Sequence, residues 1–183
     1  MNSANQIYDV IVVGGGQAGL SAGYYLTKHN AKFLILDGRE RVGDVWRNRW
    51  DSLRLFTPAK MNRLPGMDFP GPQHKFPTKD EMADYLEAYA ARFELPIRTG
   101  VWVERVTKEN GRFKLECSQG QYFADQVIIA MGSYQEPKVP SFANQLDAQV
   151  CQMHSKEYRN PSQLNEGAAV SYTHLTLPTK RIV

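Results

Sequence analysis

The chain has 183 residues, of which 42% are hydrophobic and 22% charged, with a formal net charge of +3. This composition is that of an ordinary globular protein, long enough to bury a core. Its basic residues are scattered, which argues against a nucleic-acid partner, and no apolar run approaches the length of a membrane span.

The cysteines and histidines show no spacing typical of a metal site. Cys117 and Cys151 lie 34 residues apart and form no Cys-x-x-Cys pair, so we expect no metal. The polar residues 1–6 lead directly into the first predicted strand and do not resemble a signal peptide. We therefore expect a cytoplasmic protein.

A G-x-G-x-x-G turn follows the first predicted strand without a spacer. Residues 8–13 form a β-branched run typical of a strand buried on both faces. After the turn come a helical stretch at 17–30 and a second apolar strand at 33–36, which ends in Asp37. The order strand, glycine turn, helix, strand and acid predicts a dinucleotide-binding unit.

Each part of this unit has a physical role. Gly14 permits the tight turn, Gly16 lets the backbone approach a pyrophosphate, and Gly19 lets the helix pack on the strand. The helix N-terminus offers free N–H groups, and Asp37 can accept hydrogen bonds from ribose hydroxyls. The prediction requires uncovered amides in the turn and an Asp37 that faces the crevice. The alternative is a glycine turn in another kind of α/β unit.

The middle of the chain predicts a long loop and one helix. Residues 39–47 are predicted as a polar loop and 48–75 as irregular structure, whose length suggests a functional role. Thr78 and Glu81 form a capping box, and Pro96 closes the helix that follows. One face of this helix is predicted to pack in the core: Met82, Tyr85, Leu86, Tyr89 and Phe93.

Three further strands are predicted at residues 101–108, 112–118 and 121–130. Asn110-Gly111 is a strong turn signal, so the first two strands should pair as a hairpin. The apolar run 127–132 predicts that the third strand re-enters the buried parallel sheet. Residues 133–165 are polar and proline-rich and are expected on the surface. The predicted fold class is α/β: a doubly wound, Rossmann-like parallel sheet with a β-meander.

Several segments match, in order, the motifs of one known group of proteins. The turn 14–19 with Asp37 is similar to an FAD fingerprint, and 43–46 to Gly-Gly-x-Trp with Asp44 as the second residue. Residues 125–132 are similar to D-x-x-x-x-A-T-G, with Met131 replacing threonine. From about residue 8 to 170 the chain thus resembles the flavin-containing monooxygenase superfamily, above all bacterial flavoprotein oxidoreductases related to plant indole-pyruvate monooxygenases.

The resemblance implies FAD as cofactor, with the glycine turn at the pyrophosphate, Asp37 at the ribose and the backbone near Val103 at the adenine. Thr57 stands where well-studied members carry an asparagine beside the flavin. No catalytic residue is assigned. The implied cofactor-binding residues are Gly14, Gly15, Gly16, Gln17, Ala18, Gly19, Asp37, Gly43, Val45, Trp46, Arg47, Thr57, Val103 and Gly132.

The resemblance also implies a function: an NAD(P)H-dependent flavoprotein oxidoreductase, expected to be a monooxygenase that oxygenates a small organic substrate. Three alternatives stay open. They are a flavin reductase or dehydrogenase without oxygen transfer, a non-catalytic regulatory FAD-binding protein linked to ion transport, and an NAD-binding dehydrogenase that uses Asp37.

Residues 1–170 are expected to be the N-terminal segment of an FAD-binding domain. Members of the superfamily continue with a second G-x-G-x-x-G that binds NADPH. Residues 171–183, where this domain should begin, instead contain Pro178 and resemble translated adaptor or vector sequence. This fragment by itself is therefore expected to be inactive.

Overall fold

A computed structural model describes residues 7–133 and 136–167. In this part of the chain a six-stranded mixed sheet runs in the order β3-β2-β1-β6-β5-β4. The elements are β1 Ile7–Val13, α1 Gln17–Lys28, β2 Phe33–Leu36, α2 Asp44–Arg47, α3 Lys79–Arg92, β3 Ile97–Arg98, β4 Val103–Glu109, β5 Arg112–Cys117 and β6 Gly120–Ile129.

The parallel half of the sheet is centred on β1. This strand pairs in parallel with β2 on one side and with β6 on the other. The chain leaves β1 through α1 to reach β2, while β6 arrives on the opposite side from the hairpin. The carboxyl end of β1 is therefore the point where the strand order reverses, and in open α/β sheets such points form ligand crevices.

The other half of the sheet is an antiparallel meander. β4 pairs with β5 and β5 with β6. Asn110 and Gly111 both take positive φ, 51° and 83°, as the tight turn between paired strands requires. The predicted Rossmann-like sheet with a β-meander is confirmed.

Both faces are buried along residues 10–13 of β1 and along β2, as their apolar sequences indicate, whereas Ile7 and Asp9 at the start of β1 are exposed. Val10 and Val12 contribute to a core that includes residues of α1, α3 and the long loop. Ile11 and Val13 contribute to a second core with Leu115 of the meander. Alternate side chains of a strand point to opposite faces, so two cores require strands without a polar face.

The long loop packs on α3, and tyrosine hydroxyls hold it there. The Tyr85 hydroxyl donates to the Met67 carbonyl and accepts from the Leu64 amide, both at 2.7 Å. The Tyr89 hydroxyl donates to the Pro65 carbonyl at 2.7 Å. Burial raises the pKa of both tyrosines. The predicted capping box of Thr78 and Glu81 is present at the start of α3.

Three features differ from the sequence-based expectations. Residues 44–47, predicted as loop, form α2, and the two-residue strand β3 was not predicted because it is too short to show a pattern. The end of β6 is less buried than predicted: the Ile129 side chain is 60% exposed. Within the described residues, β5 pairs with β6 only as far as Ala124, so the last residues of β6 are bonded on one side alone.

Residues 136–167 carry no helix or strand apart from two short 3-10 turns, and most are exposed, as predicted. Hydrogen bonds join them to the start of the long loop. The Asp51 amide donates to the Arg159 carbonyl at 2.8 Å, and the Asn160 amide group donates to the Asp51 carboxylate at 2.7 Å.

Candidate dinucleotide-binding site

The glycine turn is wedged between the ends of three parallel strands. Gly14, at φ +109°, donates its amide to the Leu36 carbonyl of β2 at 2.7 Å. A Cβ at Gly14 would lie 2.5 Å from the Ala130 carbonyl oxygen, just beyond β6. Neither the backbone angle nor the space allows a side chain, so this position requires glycine.

Gly19 brings α1 against the turn. A Cβ on this residue would lie 1.8 Å from the Gly14 carbonyl oxygen. The first turn of the helix therefore rests directly on the end of β1, and its N-terminus points into the crevice at the strand ends. This is the close helix–strand packing predicted for the third glycine of the motif.

Gly16 differs from the other glycines of the turn, because a Cβ there would meet no atom of the described residues within 4 Å. Its φ of −82° is one that any residue adopts. Neither protein packing nor backbone geometry therefore explains the glycine. Open space beside a helix start is what a dinucleotide requires, since its phosphates must approach the backbone closely.

The start of α1 is suited to an anion. The helix has no side-chain cap and no acidic residue in its first turn. No residue of the helix's own first turn therefore neutralises its partial positive charge. These features, with the space at Gly16, fit the pyrophosphate of FAD to the amides that follow Gly16, including those of Gln17 and Ala18.

The Asp37 carboxylate faces the turn, as the motif requires, but it also covers one amide of the turn. Oδ2 accepts from the Gly15 amide at 2.5 Å, and Oδ1 accepts from the Arg39 amide at 2.7 Å. The expectation of uncovered amides thus holds at the helix start but not at Gly15. A carboxylate has about four acceptor positions, so the half-buried Asp37 retains capacity for ribose hydroxyls.

The segment from Gly43 to Arg47 lies against α3. A Cβ at Gly43 would lie 2.6 Å from the Ala83 carbonyl oxygen, and its φ is +89°. Trp46 packs against the first core, whereas Val45 is exposed. The short helix therefore offers Val45 and its backbone, rather than the Trp46 face, to the surface.

Arg47 is engaged by the protein itself. Its guanidinium donates to the Val42 carbonyl at 2.7 Å, to Asp84 at 2.9 Å and to Glu87 at 3.0 Å. Arg41 also pairs with Glu87, which lowers the pKa of that carboxyl. The Arg47 side chain thus ties the segment to α3, and only its other atoms remain for the implied contact with the flavin.

Thr57 is held by a residue that the sequence did not single out. The buried Asn62 accepts from the Thr57 hydroxyl at 2.6 Å and donates to the Thr57 carbonyl at 2.9 Å and the Pro58 carbonyl at 3.1 Å. A lone asparagine in a loop carries no sequence signal of such a role. Asn62 thus holds Thr57 in position. Thr57 remains the residue at the place where well-studied members carry an asparagine beside the flavin.

The remaining predicted residues lie on the meander side. The structure places the turn against Ala130 and Met131, which directly precede Gly132 at φ +73°. Val103 begins β4, two residues after Val101, whose amide donates to the Asp37 carbonyl at 2.9 Å. The turn, Asp37 and these two segments therefore share the carboxyl edge of the parallel strands, while 43–47 lies on α3.

A family model described as pyridine nucleotide-disulphide oxidoreductase matches residues 11–170. The chain belongs to this family. The part of this chain that matches the family model contains the glycine turn, Asp37, α3 and the whole meander. Residues 168–183, including the tail interpreted above as adaptor sequence, lie outside the described part of the chain.

Individual relatives confirm the resemblance to flavin monooxygenases. A CzcO-like oxidoreductase of Geobacillus kaustophilus is 49% identical over 164 residues, covering 90% of this chain and 47% of that relative. Indole-3-pyruvate monooxygenase YUCCA1 of Oryza sativa subsp. japonica is 31% identical, over 84% of this chain and 39% of the plant protein. The chain therefore spans less than half the length of these relatives.

A solved structure shows the same fold. A flavin monooxygenase mutant from Stenotrophomonas maltophilia is 35% identical to this member of the pyridine nucleotide-disulphide oxidoreductase family, with a TM-score of 0.81. The match covers 87% of this chain and 48% of that one. In the described part of the chain, no helix has the length and apolar character needed to cross a membrane.

Proposed function

We propose that this chain is the FAD-binding part of an NAD(P)H-dependent flavoprotein oxidoreductase, specifically a monooxygenase that oxygenates a small organic substrate. The observation that carries the cofactor assignment is the open space at Gly16, next to an uncapped helix start and to the Asp37 carboxylate. The monooxygenase assignment is supported by the named plant relative and the named bacterial structure.

The residues of the chain would divide the work of holding the cofactor. The amides at the start of α1 donate to the pyrophosphate, and the absence of a side chain at Gly16 allows the phosphate oxygens to reach them. Asp37 accepts from the ribose hydroxyls and is itself oriented by the Gly15 and Arg39 amides. Because the protein orients this acid, little freedom is lost when the ligand arrives.

FAD held by the start of α1 and Asp37 would supply the redox chemistry with a reduced nicotinamide and oxygen. The chain's own contribution is orientation and exclusion of water. The long loop is fixed to α3 by tyrosine hydroxyls, and Thr57 is fixed by Asn62. These residues would line the part of the cofactor beyond the pyrophosphate. We propose that NADPH is bound by a segment outside residues 1–170.

The ribose contact is tested by combining a variant with a modified ligand. Asp37→Asn should weaken ADP binding about tenfold, the effect of about one charge-assisted hydrogen bond, measured by titration calorimetry. With 2′,3′-dideoxyadenosine diphosphate, which lacks both hydroxyls, wild type and variant should bind equally. Asp68→Asn is the matched control, because Asp68 is an exposed acid in the long loop.

Equal loss with both ligands would show that Asp37 does not hold the ribose. A wild-type chain that binds neither FAD nor ADP would refute the proposed function as a whole. The oxygenase assignment is tested in the complete protein supplied with NADPH. An oxygenated organic product is expected, whereas hydrogen peroxide as the sole product would identify a reductase or oxidase.

A further inference from the structure

We propose that the Trp102 indole forms the stacking wall for the purine base of the bound nucleotide. The inference deepens the nucleotide site and rests on the proposed function. In the proposed site the phosphates lie over Gly16 and the ribose lies on Asp37. The inference concerns the base, at the end of the ligand beyond the ribose.

The indole lies directly on the residue that follows Asp37. A Cβ at Gly38 would be 2.0 Å from Cε3, 2.6 Å from Cζ3 and 3.1 Å from Cδ2 of Trp102. The benzene part of the ring therefore occupies the place of a side chain at position 38. Any residue other than glycine there would displace the ring from the neighbourhood of the ribose-binding acid.

Backbone hydrogen bonds fix this contact in place. The Val101 amide donates to the Asp37 carbonyl at 2.9 Å, and the Gly100 amide donates to the Arg39 carbonyl at 2.7 Å. On its other side, Trp102 donates its amide to the Ser118 hydroxyl at 3.0 Å. The chain at 100–102 is thus joined to both the end of β2 and the meander, so the backbone that carries the ring has a defined position.

About half of the Trp102 surface is accessible. Trp102 is 48% exposed, although the adjacent Val101 is 1% exposed and lies in the second core. Tryptophan usually buries most of its surface, and within the described residues no aromatic or cationic side chain stacks on this ring. The exposed part of the ring is therefore available to a flat base.

The order of groups along the crevice matches the order of groups in an adenosine diphosphate. Gly16 has the open space, Gly15 is bonded to Asp37, and Gly38 carries the indole. A nucleotide with its diphosphate at Gly16 and its ribose at Asp37 places its base toward the indole on Gly38. Purine bases stack on aromatic rings, and truncation of such a ring to alanine typically weakens binding about five- to hundredfold.

The test compares ADP, which contains the base, with inorganic pyrophosphate, which does not. Trp102→Ala should weaken ADP binding about tenfold or more and leave pyrophosphate binding unchanged, whereas Trp102→Phe should retain most of the ADP affinity. The matched control is Phe56→Ala, since Phe56 is also an exposed aromatic and lies in the long loop. Circular dichroism and thermal melting establish that each variant is folded.

A second readout does not require a truncated side chain. ADP should quench the tryptophan fluorescence of the wild-type chain, and Trp102→Phe should remove most of that quenching. ADP binding without quenching, or a folded Trp102→Ala variant with wild-type ADP affinity, overturns the inference but leaves the proposed nucleotide site intact. A wild-type chain that binds neither ADP nor pyrophosphate refutes both.

Discussion

Replacing Gly16 by alanine should weaken nucleotide binding strongly while leaving the fold intact. Within residues 7–133 and 136–167 the new methyl group would meet no atom closer than 4 Å, and φ is −82°. Alanine is a poorer helix N-cap than glycine by roughly 0.5–1 kcal/mol. The reduced entropy of the unfolded chain offsets about 0.4–1 kcal/mol of this. The net change in the free energy of unfolding should be within about 1 kcal/mol.

The effect on binding should be much larger. The methyl group would occupy the space through which phosphate oxygens reach the amides at the start of α1. Losing one charge-assisted hydrogen bond costs about 1.5–3 kcal/mol, which corresponds to roughly ten- to hundredfold weaker ADP binding. Titration calorimetry with ADP measures the affinity, and thermal denaturation followed by circular dichroism measures the stability.

Gly14→Ala is the informative comparison, because its structural cost is the opposite. There the methyl group would lie 2.5 Å from the Ala130 carbonyl oxygen at φ +109°. Backbone strain and overlap together cost on the order of 3 kcal/mol or more, so the Tm should fall by roughly 6 °C or more. A folded Gly16→Ala variant with wild-type ADP affinity would refute the assignment of the open space to the phosphates.

Three further predictions concern stability. Tyr85→Phe leaves two buried backbone groups of the long loop without their partner and should cost about 2–4 kcal/mol in the free energy of unfolding, measured by urea denaturation. Thr78→Ala removes the N-cap of α3 and should cost about 1 kcal/mol, measured by thermal melting. Glu87→Gln should flatten the acid side of the Tm–pH profile, because Arg41 lowers the pKa of Glu87 in the folded state.

The sign of the Glu87 prediction follows from proton linkage. A carboxyl group with a lowered folded-state pKa stabilises the fold above its unfolded pKa and loses this contribution as the pH falls through the folded value. Wild type and variant should therefore converge at low pH, and a constant difference between pH 7 and pH 3 would contradict the assignment. Tyr25→Phe, at an exposed tyrosine, and Thr107→Ala, in β4, are the controls for the other two variants.

The local elements were predictable because each carries its own signal. The turn 14–19 between a strand and a helix, the capping box at Thr78 and the Asn110-Gly111 turn depend on interactions between residues close in the chain. The apolar strands 8–13 and 33–36 predicted burial on both faces, which the two cores confirm. The family resemblance, drawn from motifs of this kind, is confirmed by the comparisons.

Other features depend on residues far apart in the chain and were not predictable. Arg47 pairs with α3 and does not extend into the crevice, because packing brings Asp84 and Glu87 of α3 to its side chain. Asn62 reaches Thr57 through the irregular path of the long loop. The exposure of Ile129 depends on where its neighbouring strand stops pairing, which an apolar sequence does not reveal.

The sequence by itself determined the dinucleotide-binding unit and the order of its parts, since helix starts, tight turns and buried strands arise from short-range chemistry. Only the tertiary structure decided which glycine faces open space, that Asp37 covers the Gly15 amide, and that Trp102 lies on Gly38. These are contacts between segments up to 64 residues apart, and their distances are set by the packing of the whole sheet, not by any local pattern.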